Sequence, residues 1–106
     1  FHSPLMESAK SGFKAALEKT AIRDASIPVY ANVTAKPVRA ADEIRQLLNE
    51  QLTSPVRWEE TIKNMAADGA SVFVEIGPGK VLQGLVKRIR NDVETRGIEK
   101  LADISS

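Results

Sequence analysis

His2 is the only histidine of the chain and the one side chain whose ordinary pKa suits proton transfer near neutral pH. A lone histidine beside a chain end is, however, more often a solvated surface residue. The sequence has no cysteine, which excludes disulfides, thiolate metal sites and thiol nucleophiles. Any covalent catalysis therefore has to use an oxygen nucleophile, and no metal site is predicted.

Gln51 is the second unusual residue, because it interrupts the apolar face of a predicted helix. The other positions of that face are Ile44, Leu47, Leu48 and Leu52. They follow the spacing of a helix with one buried side. Burying an amide without a partner costs about 1–3 kcal/mol. We therefore expect Gln51 either to hold a specific partner or to lie at the edge of the face and reach water.

Two further clusters have a chemical and a structural interpretation. Residues 77–80 (GPGK) precede a predicted helix, whose free N–H groups could hold an anion. The spacing matches neither nucleotide-binding fingerprint, so a structural turn is favoured. Lys87, Arg88 and Arg90 follow near the end of that helix, where the helix dipole favours cations. A surface for an acidic protein partner is the alternative.

The composition excludes several classes of protein. The 106 residues allow one small domain or a piece of a larger one, and 42% hydrophobic with 27% charged residues is typical of a soluble globular chain. Fifteen basic residues balance fourteen acidic ones, which argues against nucleic-acid binding. No apolar stretch approaches the ~20 residues that span a bilayer, so no membrane association is predicted and a cytoplasmic location is expected.

The elements that must position these residues alternate between helix and strand. Patterning predicts a helix from Ser3-Pro4 to about Thr20, a strand at 27–33, a helix from Asp42, a helix from Ser54-Pro55 to Gly69, a strand at 71–76, a helix from Val81, and in the tail 91–106 an edge strand and a short helix. This alternation indicates an α/β fold with parallel strands flanked by helices. The apolar run at 72–76 is typical of a strand covered on both faces.

Two or three strands are too few for a self-sufficient parallel sheet, because each such strand needs neighbours and helices. We therefore expect the chain to be part of a larger sheet rather than a complete domain. A missing N-terminal portion is the simplest explanation.

Four segments, taken in order, resemble the C-terminal third of bacterial malonyl-CoA:acyl-carrier-protein transacylases and the acyltransferase domains of polyketide synthases. They are residues 1–6 (FHSPLM), 27–35 (IPVYANVTA), 51–58 (QLTSPVRW) and 74–82 (VEIGPGKVL). Each segment alone is a weak signal, but their order and spacing together are specific. The resemblance covers residues 1 to about 90 well and the tail poorly.

The resemblance implies an α/β-hydrolase-like acyltransferase fold, with residues 1–106 forming the C-terminal segment of its large subdomain. The family's serine nucleophile, in a G-H-S-x-G elbow, and its malonyl-binding arginine lie upstream of such a segment. Neither is in this sequence. The resemblance therefore implies an enzyme whose present chain is inactive by itself.

The resemblance also assigns roles to four residues. His2 corresponds to the family's general base and acid, and Gln51 to a glutamine that orients this histidine through its main-chain carbonyl. Asn32 falls near the same site, and Phe1 matches the pattern associated with malonyl selection. The implied reaction moves malonyl from coenzyme A to the phosphopantetheine thiol of acyl carrier protein through a malonyl-serine, in fatty-acid biosynthesis.

No cofactor beyond the coenzyme A thioester substrate is implied. The implied partners are acyl carrier protein, malonyl-CoA and the N-terminal portion of the same enzyme. Two alternatives remain: an acyltransferase of the polyketide-synthase type with another acyl preference, and a non-catalytic α/β interaction fragment.

Overall fold

The computed structural model describes residues 4–105 and the side chains from Met6 to Ile104. Phe1, His2 and the predicted capping residue Ser3 therefore lie outside the described residues. The chain divides into two compact units, one ending at Thr61 and one beginning at Ile62. Each unit is described by itself.

The first unit opens with helix α1 (Pro4–Lys19), which confirms the helix predicted to about Thr20. Leu17 on this helix is buried, with 7% of its surface exposed. Arg45 closes the carboxyl end of the helix, since its guanidinium donates to the carbonyls of Leu17 at 3.1 Å and Thr20 at 3.3 Å. The last carbonyls of a helix have no partner within the helix, so this contact ties α1 to the later helix that contains Arg45, residues 41–51.

A hairpin follows, formed by β1 (Val29–Ala31) and β2 (Lys36–Val38). The strands pair antiparallel, with Tyr30 opposite Pro37. The sequence predicted β1 but not β2, because three residues with a central proline show no strand periodicity. Between the strands, Ala35 is fully buried and has a φ of 59°. Its N–H donates to the Ala31 carbonyl at 2.7 Å and closes the turn.

Helix α2 (Ala41–Gln51) begins within one residue of the predicted start. Its first N–H is capped from the loop before β1, where Asp24 Oδ1 accepts from the Ala41 N–H at 2.8 Å. Helix α3 (Trp58–Ala67) begins later than the Ser54-Pro55 pair predicted. The carbonyl of Arg57 is the first acceptor of the helix, from the Thr61 N–H at 3.0 Å. The boundary between the units falls within α3.

The second unit is built on β3 (Val72–Ile76), helix α4 (Val81–Ile89) and β4 (Glu94–Ile98). The two strands pair parallel, from Val72 opposite Glu94 to Ile76 opposite Ile98, and α4 packs against both. Buried Val86 on α4 and Val93 before β4 belong to the core of this unit. A 3-10 helix (Leu101–Ser105) ends it. The predicted edge strand and short helix of the tail are thus confirmed.

The two faces of β3 differ in exposure. Phe73 and Glu75 are half-buried, whereas Val72, Val74 and Ile76 on the opposite face are 42%, 46% and 82% exposed. The sequence predicted cover on both faces, and the described residues cover only one. The apolar composition of β3 therefore exceeds what this part of the chain buries.

Candidate functional site

Asn32 and Gln51, two of the four predicted site residues, line one cleft of the first unit. The cleft has a volume of about 170 Å³, and its walls come from the hairpin and α2. The lining residues are Val29, Tyr30, Ala31, Asn32, Val38, Ile44, Leu47, Leu48 and Gln51. Asn32 follows the last residue of β1 and Gln51 is the last residue of α2, so the ends of two elements bring the amides to one cavity.

Gln51 has the specific partner that its place on an apolar face requires. The side chain is half-buried, and its Nε2 donates to the Ser54 carbonyl at 3.1 Å. The Gln51 carbonyl in turn accepts the Ser54 N–H at 3.3 Å. These two bonds fix the corner at which α2 ends. A carbonyl oxygen has two lone pairs, so the main-chain oxygen of Gln51 can accept a second hydrogen bond.

A second cleft of about 440 Å³ in the same unit also contains Gln51. It is lined by Met6, Phe13, Leu48, Gln51, Leu52, Ser54, Pro55 and Val56. Lys10 on α1 donates to Thr53 Oγ1 at 3.0 Å, which holds the helix against the corner. Gln51 thus lines a cleft together with Met6, which follows His2 by four residues in the sequence. His2 and Phe1 themselves lie outside the described residues.

Arg57 contacts the turn that begins with Asn32, and it was not among the predicted site residues. Its N–H donates to the Asn32 carbonyl at 3.0 Å, and its Nη1 donates to the Thr34 carbonyl at 3.5 Å. The remaining guanidinium nitrogens pair with Glu60. The sequence signal that could have indicated Arg57 is the glutamate three residues later, a spacing that allows an ion pair at the start of a helix.

Among the described residues, the two clefts offer amides that can orient a bound group but no imidazole that could carry a proton. The amides of Asn32 and Gln51 donate and accept hydrogen bonds without titrating near neutral pH. Proton transfer would need an imidazole such as that of His2. Among residues 4–105, no cluster of histidine or carboxylate side chains has the arrangement of a metal site.

The GPGK turn is structural, as the sequence favoured. The N–H groups at the start of α4 are held by carboxylates of the chain: Glu75 accepts from Leu82 at 3.3 Å and from Gln83 at 3.1 Å. Glu99 accepts from Gly79 at 2.7 Å. Carboxylates already occupy the positions that an anion would need.

Two of the three predicted basic residues near the end of α4 are engaged within their own unit. Lys87 donates to the Val93 carbonyl. Arg90, just beyond the helix, pairs with Asp92 at 2.7 Å, and this hydrogen bond lowers the pKa of the Asp92 carboxyl to about 2. Arg88 is exposed. The structure therefore offers less free positive charge here than the sequence indicated.

None of the helices described is both long and apolar enough to cross a membrane.

Known proteins that are similar to this chain include malonyl CoA-acyl carrier protein transacylases. No family model matches the chain. A malonyl CoA-acyl carrier protein transacylase of Bacillus subtilis is 46% identical over 95 residues, which are 90% of this chain and 30% of the relative. The crystal structure of an acyl-carrier-protein-S-malonyltransferase from Bartonella henselae superposes with a TM-score of 0.92 at 38% identity, covering 99% of this chain and 33% of that one.

A second similar structure holds a type II PKS acyl-carrier protein in complex with its malonyl-transacylase. It matches with a TM-score of 0.88 at 36% identity, over 98% of this chain and 34% of that one. The chain thus spans about a third of the length of the relatives it matches. Since both sequence and fold agree along nearly all of its residues, the chain belongs to the malonyl CoA-acyl carrier protein transacylase family as a partial acyltransferase domain.

Proposed function

We propose that the complete protein transfers a malonyl group from coenzyme A to the phosphopantetheine thiol of acyl carrier protein through a malonyl-serine ester. The observation that carries this proposal is the pair of clefts that share Gln51, one lined by Asn32 and the other by Met6. This arrangement brings together three of the four segments that resemble the family. The names of the relatives support the same reaction.

His2 is proposed as the general base and then the general acid of both half-reactions. A serine hydroxyl is a poor nucleophile at its own pKa, so an imidazole has to take its proton during attack. The same imidazole then protonates the departing coenzyme A thiolate. In the second half-reaction it deprotonates the carrier thiol and returns a proton to serine.

Gln51 is proposed to orient His2 through its main-chain carbonyl. The side-chain amide is already bonded to the Ser54 carbonyl, which supports a structural role for the side chain. Asn32 lies across the same cleft and is proposed to contact the bound acyl group. Phe1 is proposed to favour malonyl over larger acyl groups.

The proposed partners are malonyl-CoA and acyl carrier protein, with no metal or redox cofactor. A similar transacylase has been solved with its acyl carrier protein, which supports the second of these partners. Of the basic cluster near the end of α4, Arg88 keeps an exposed charge without a contact among the described residues.

The direct test is a transfer assay on the complete protein with malonyl-CoA and acyl carrier protein. Mass spectrometry should detect a malonyl adduct on the protein before the carrier is added, and its loss afterwards. Methylmalonyl-CoA and acetyl-CoA, assayed in parallel, distinguish malonyl transfer from an acyltransferase of another preference. The absence of an acyl adduct with all three thioesters would instead favour a non-catalytic interaction fragment.

A further inference from the structure

Arg57 contacts the turn between β1 and β2 at two carbonyls. The main-chain N–H of Arg57 donates to the Asn32 carbonyl at 3.0 Å. Its Nη1 lies 3.5 Å from the Thr34 carbonyl, at the outer limit of a hydrogen bond. One residue thus reaches both the first and the third residue of the turn that begins with Asn32.

The other side of Arg57 is held by the start of α3. Its Nε donates to Glu60 Oε1 at 3.1 Å, and its Nη2 pairs with Glu60 Oε2. Its carbonyl accepts from the Thr61 N–H at 3.0 Å and from Thr61 Oγ1 at 2.7 Å. Thr61 is only 2% exposed, so the main chain of Arg57 is anchored to a buried residue.

The same segment carries Gln51 at its other end. Five residues lie between Gln51 and Arg57 along the chain, and the corner at the end of α2 is closed by the bond from the Gln51 amide to the Ser54 carbonyl. Segment 51–57 therefore contacts the cleft at both ends. Gln51 lines the cleft itself, and Arg57 binds the carbonyl of Asn32, which also lines it.

We propose that Arg57 is a positioning residue that sets the place of Asn32 relative to Gln51 across the cleft. Its role in the reaction rests on the function proposed above. A forked guanidinium can hold a carboxylate and a carbonyl at once, whereas an ammonium binds as a point charge. Stability alone does not explain the residue, because the ion pair is 42% and 55% exposed, and such pairs contribute little to the free energy of unfolding.

The test compares Arg57→Ala, Arg57→Lys and the control Arg39→Ala in the complete protein. Arg39 is a matched control, because its Nη1 also holds a loop carbonyl, that of Ser26 at 2.7 Å, and it contacts neither Asn32 nor Thr34 in the described structure. Arg57→Ala keeps the main-chain bond to the Asn32 carbonyl but removes the guanidinium contacts with Thr34 and Glu60. We expect it to lower kcat for malonyl transfer about 10-fold, since small displacements of positioned groups are costly in catalysis. Arg57→Lys should recover part of this loss, and Arg39→Ala should leave kcat unchanged.

A double variant separates positioning from general destabilisation. In an Asn32→Ala background, adding Arg57→Ala should cause no further loss of kcat, because the group it positions is gone. An undiminished loss in that background, or unchanged kcat in Arg57→Ala, would overturn the proposal.

A second readout does not depend on activity. Hydrogen–deuterium exchange of residues 32–35 should be faster in Arg57→Ala than in Arg39→Ala, because the Thr34 and Ala35 N–H groups close the turn that Arg57 holds. Faster exchange in Arg57→Ala, in a protein that transfers no malonyl, would reject the proposed function but would keep the conclusion that Arg57 holds the turn. Equal exchange in Arg57→Ala and Arg39→Ala would show that Arg57 does not hold the turn.

Discussion

At the residue scale, the described residues of the cleft between the hairpin and α2 include the amides of Asn32 and Gln51 but no imidazole. We therefore expect His2→Ala in the complete enzyme to slow both the formation of the malonyl-enzyme and its transfer to acyl carrier protein. General acid–base catalysis contributes about 10²–10⁴-fold, so a loss of that size is expected in each half-reaction, with coenzyme A binding little changed. Rapid-quench measurement with radiolabelled malonyl-CoA resolves the two steps. Acylation of the variant at the normal rate would show that His2 is not the base.

Gln51 should tolerate substitution better than His2. Gln51→Leu removes the bond from Nε2 to the Ser54 carbonyl but keeps the main-chain carbonyl proposed to hold His2. The lost hydrogen bond costs about 1 kcal/mol of stability, so we expect a lower melting temperature and a smaller loss of kcat than in His2→Ala. Steady-state kinetics and thermal melts of the two variants test this. An inactive Gln51→Leu enzyme with an unchanged melting temperature would assign the amide a catalytic role.

Gly97 on β4 is the glycine at which an added methyl group would meet another side chain. A Cβ there would lie 2.6 Å from Gln83 Nε2, a buried nitrogen without a hydrogen-bond partner among the described residues. We expect Gly97→Ala to cost about 1 kcal/mol, because the amide on α4 has to move. In a Gln83→Ala background the same change should become neutral or stabilising, since alanine suits a strand better than glycine. Thermal melts of the four proteins in this cycle measure the coupling, and a cost that persists without Gln83 would contradict this explanation.

At the element scale, helix α2 depends on a cap from outside its own sequence. Ala40 provides no side-chain cap, and Asp24 Oδ1 accepts the Ala41 N–H instead. Asp24→Ala should therefore destabilise the first unit by about 0.5–2 kcal/mol, the usual cost of losing a cap. Asp24→Asn keeps an acceptor oxygen and is the matched control. Equal melting temperatures for Asp24→Ala and Asp24→Asn would show that the cap is not important.

The helices and β3 could be predicted from the sequence because each has many residues at a regular period. Helix α4, for example, shows its period over Val81, Leu82, Leu85, Val86 and Ile89. Strand β2 could not be predicted, because it is three residues long and exists through its pairing with β1. The late start of α3 was missed for a related reason: the contacts of Arg57 with the hairpin turn keep residues 55–57 out of the helix.

The site was predicted to a smaller extent. Asn32 and Gln51 were singled out in the sequence, and the structure brings them to one cleft. The partner of the Gln51 amide is the main-chain carbonyl of Ser54. Every residue has such a carbonyl, so residue types alone could not predict this partner. Glu75 and Glu99 at the start of α4 were also missed, because the strand and loop that carry them reach the helix only in the folded unit.

At the scale of the whole molecule, the outer face of β3 leads to a prediction about the 106-residue chain alone. Val72, Val74, Ile76, Leu101 and Ile104 of the second unit are between 42% and 85% exposed. Exposed apolar faces and free strand edges promote association. We therefore expect the isolated chain to be poorly soluble, to elute as oligomers or aggregates in size-exclusion chromatography, and to have no transacylase activity.

We expect inactivity because the family's serine nucleophile, which the resemblance places upstream, is not in this sequence, and without it no tetrahedral intermediate forms. Turnover by the chain alone, after rigorous removal of host enzyme, would contradict this. A sharp cooperative melt with a monomeric hydrodynamic radius would contradict the prediction of association.

Ala35 is an alanine held in the left-handed backbone region that favours glycine, with a φ of 59° and no exposed surface. That conformation costs an alanine about 1 kcal/mol or more, so local preference opposes the turn. The burial of Ala35, its bond to the Ala31 carbonyl and the contacts of Arg57 with the turn oppose this cost. The turn after Asn32 therefore stores strain. Any loosening of the surrounding packing releases that strain, so we expect the turn to open locally before the rest of the unit. Hydrogen exchange of the Ala35 amide then reports whether the cleft is intact.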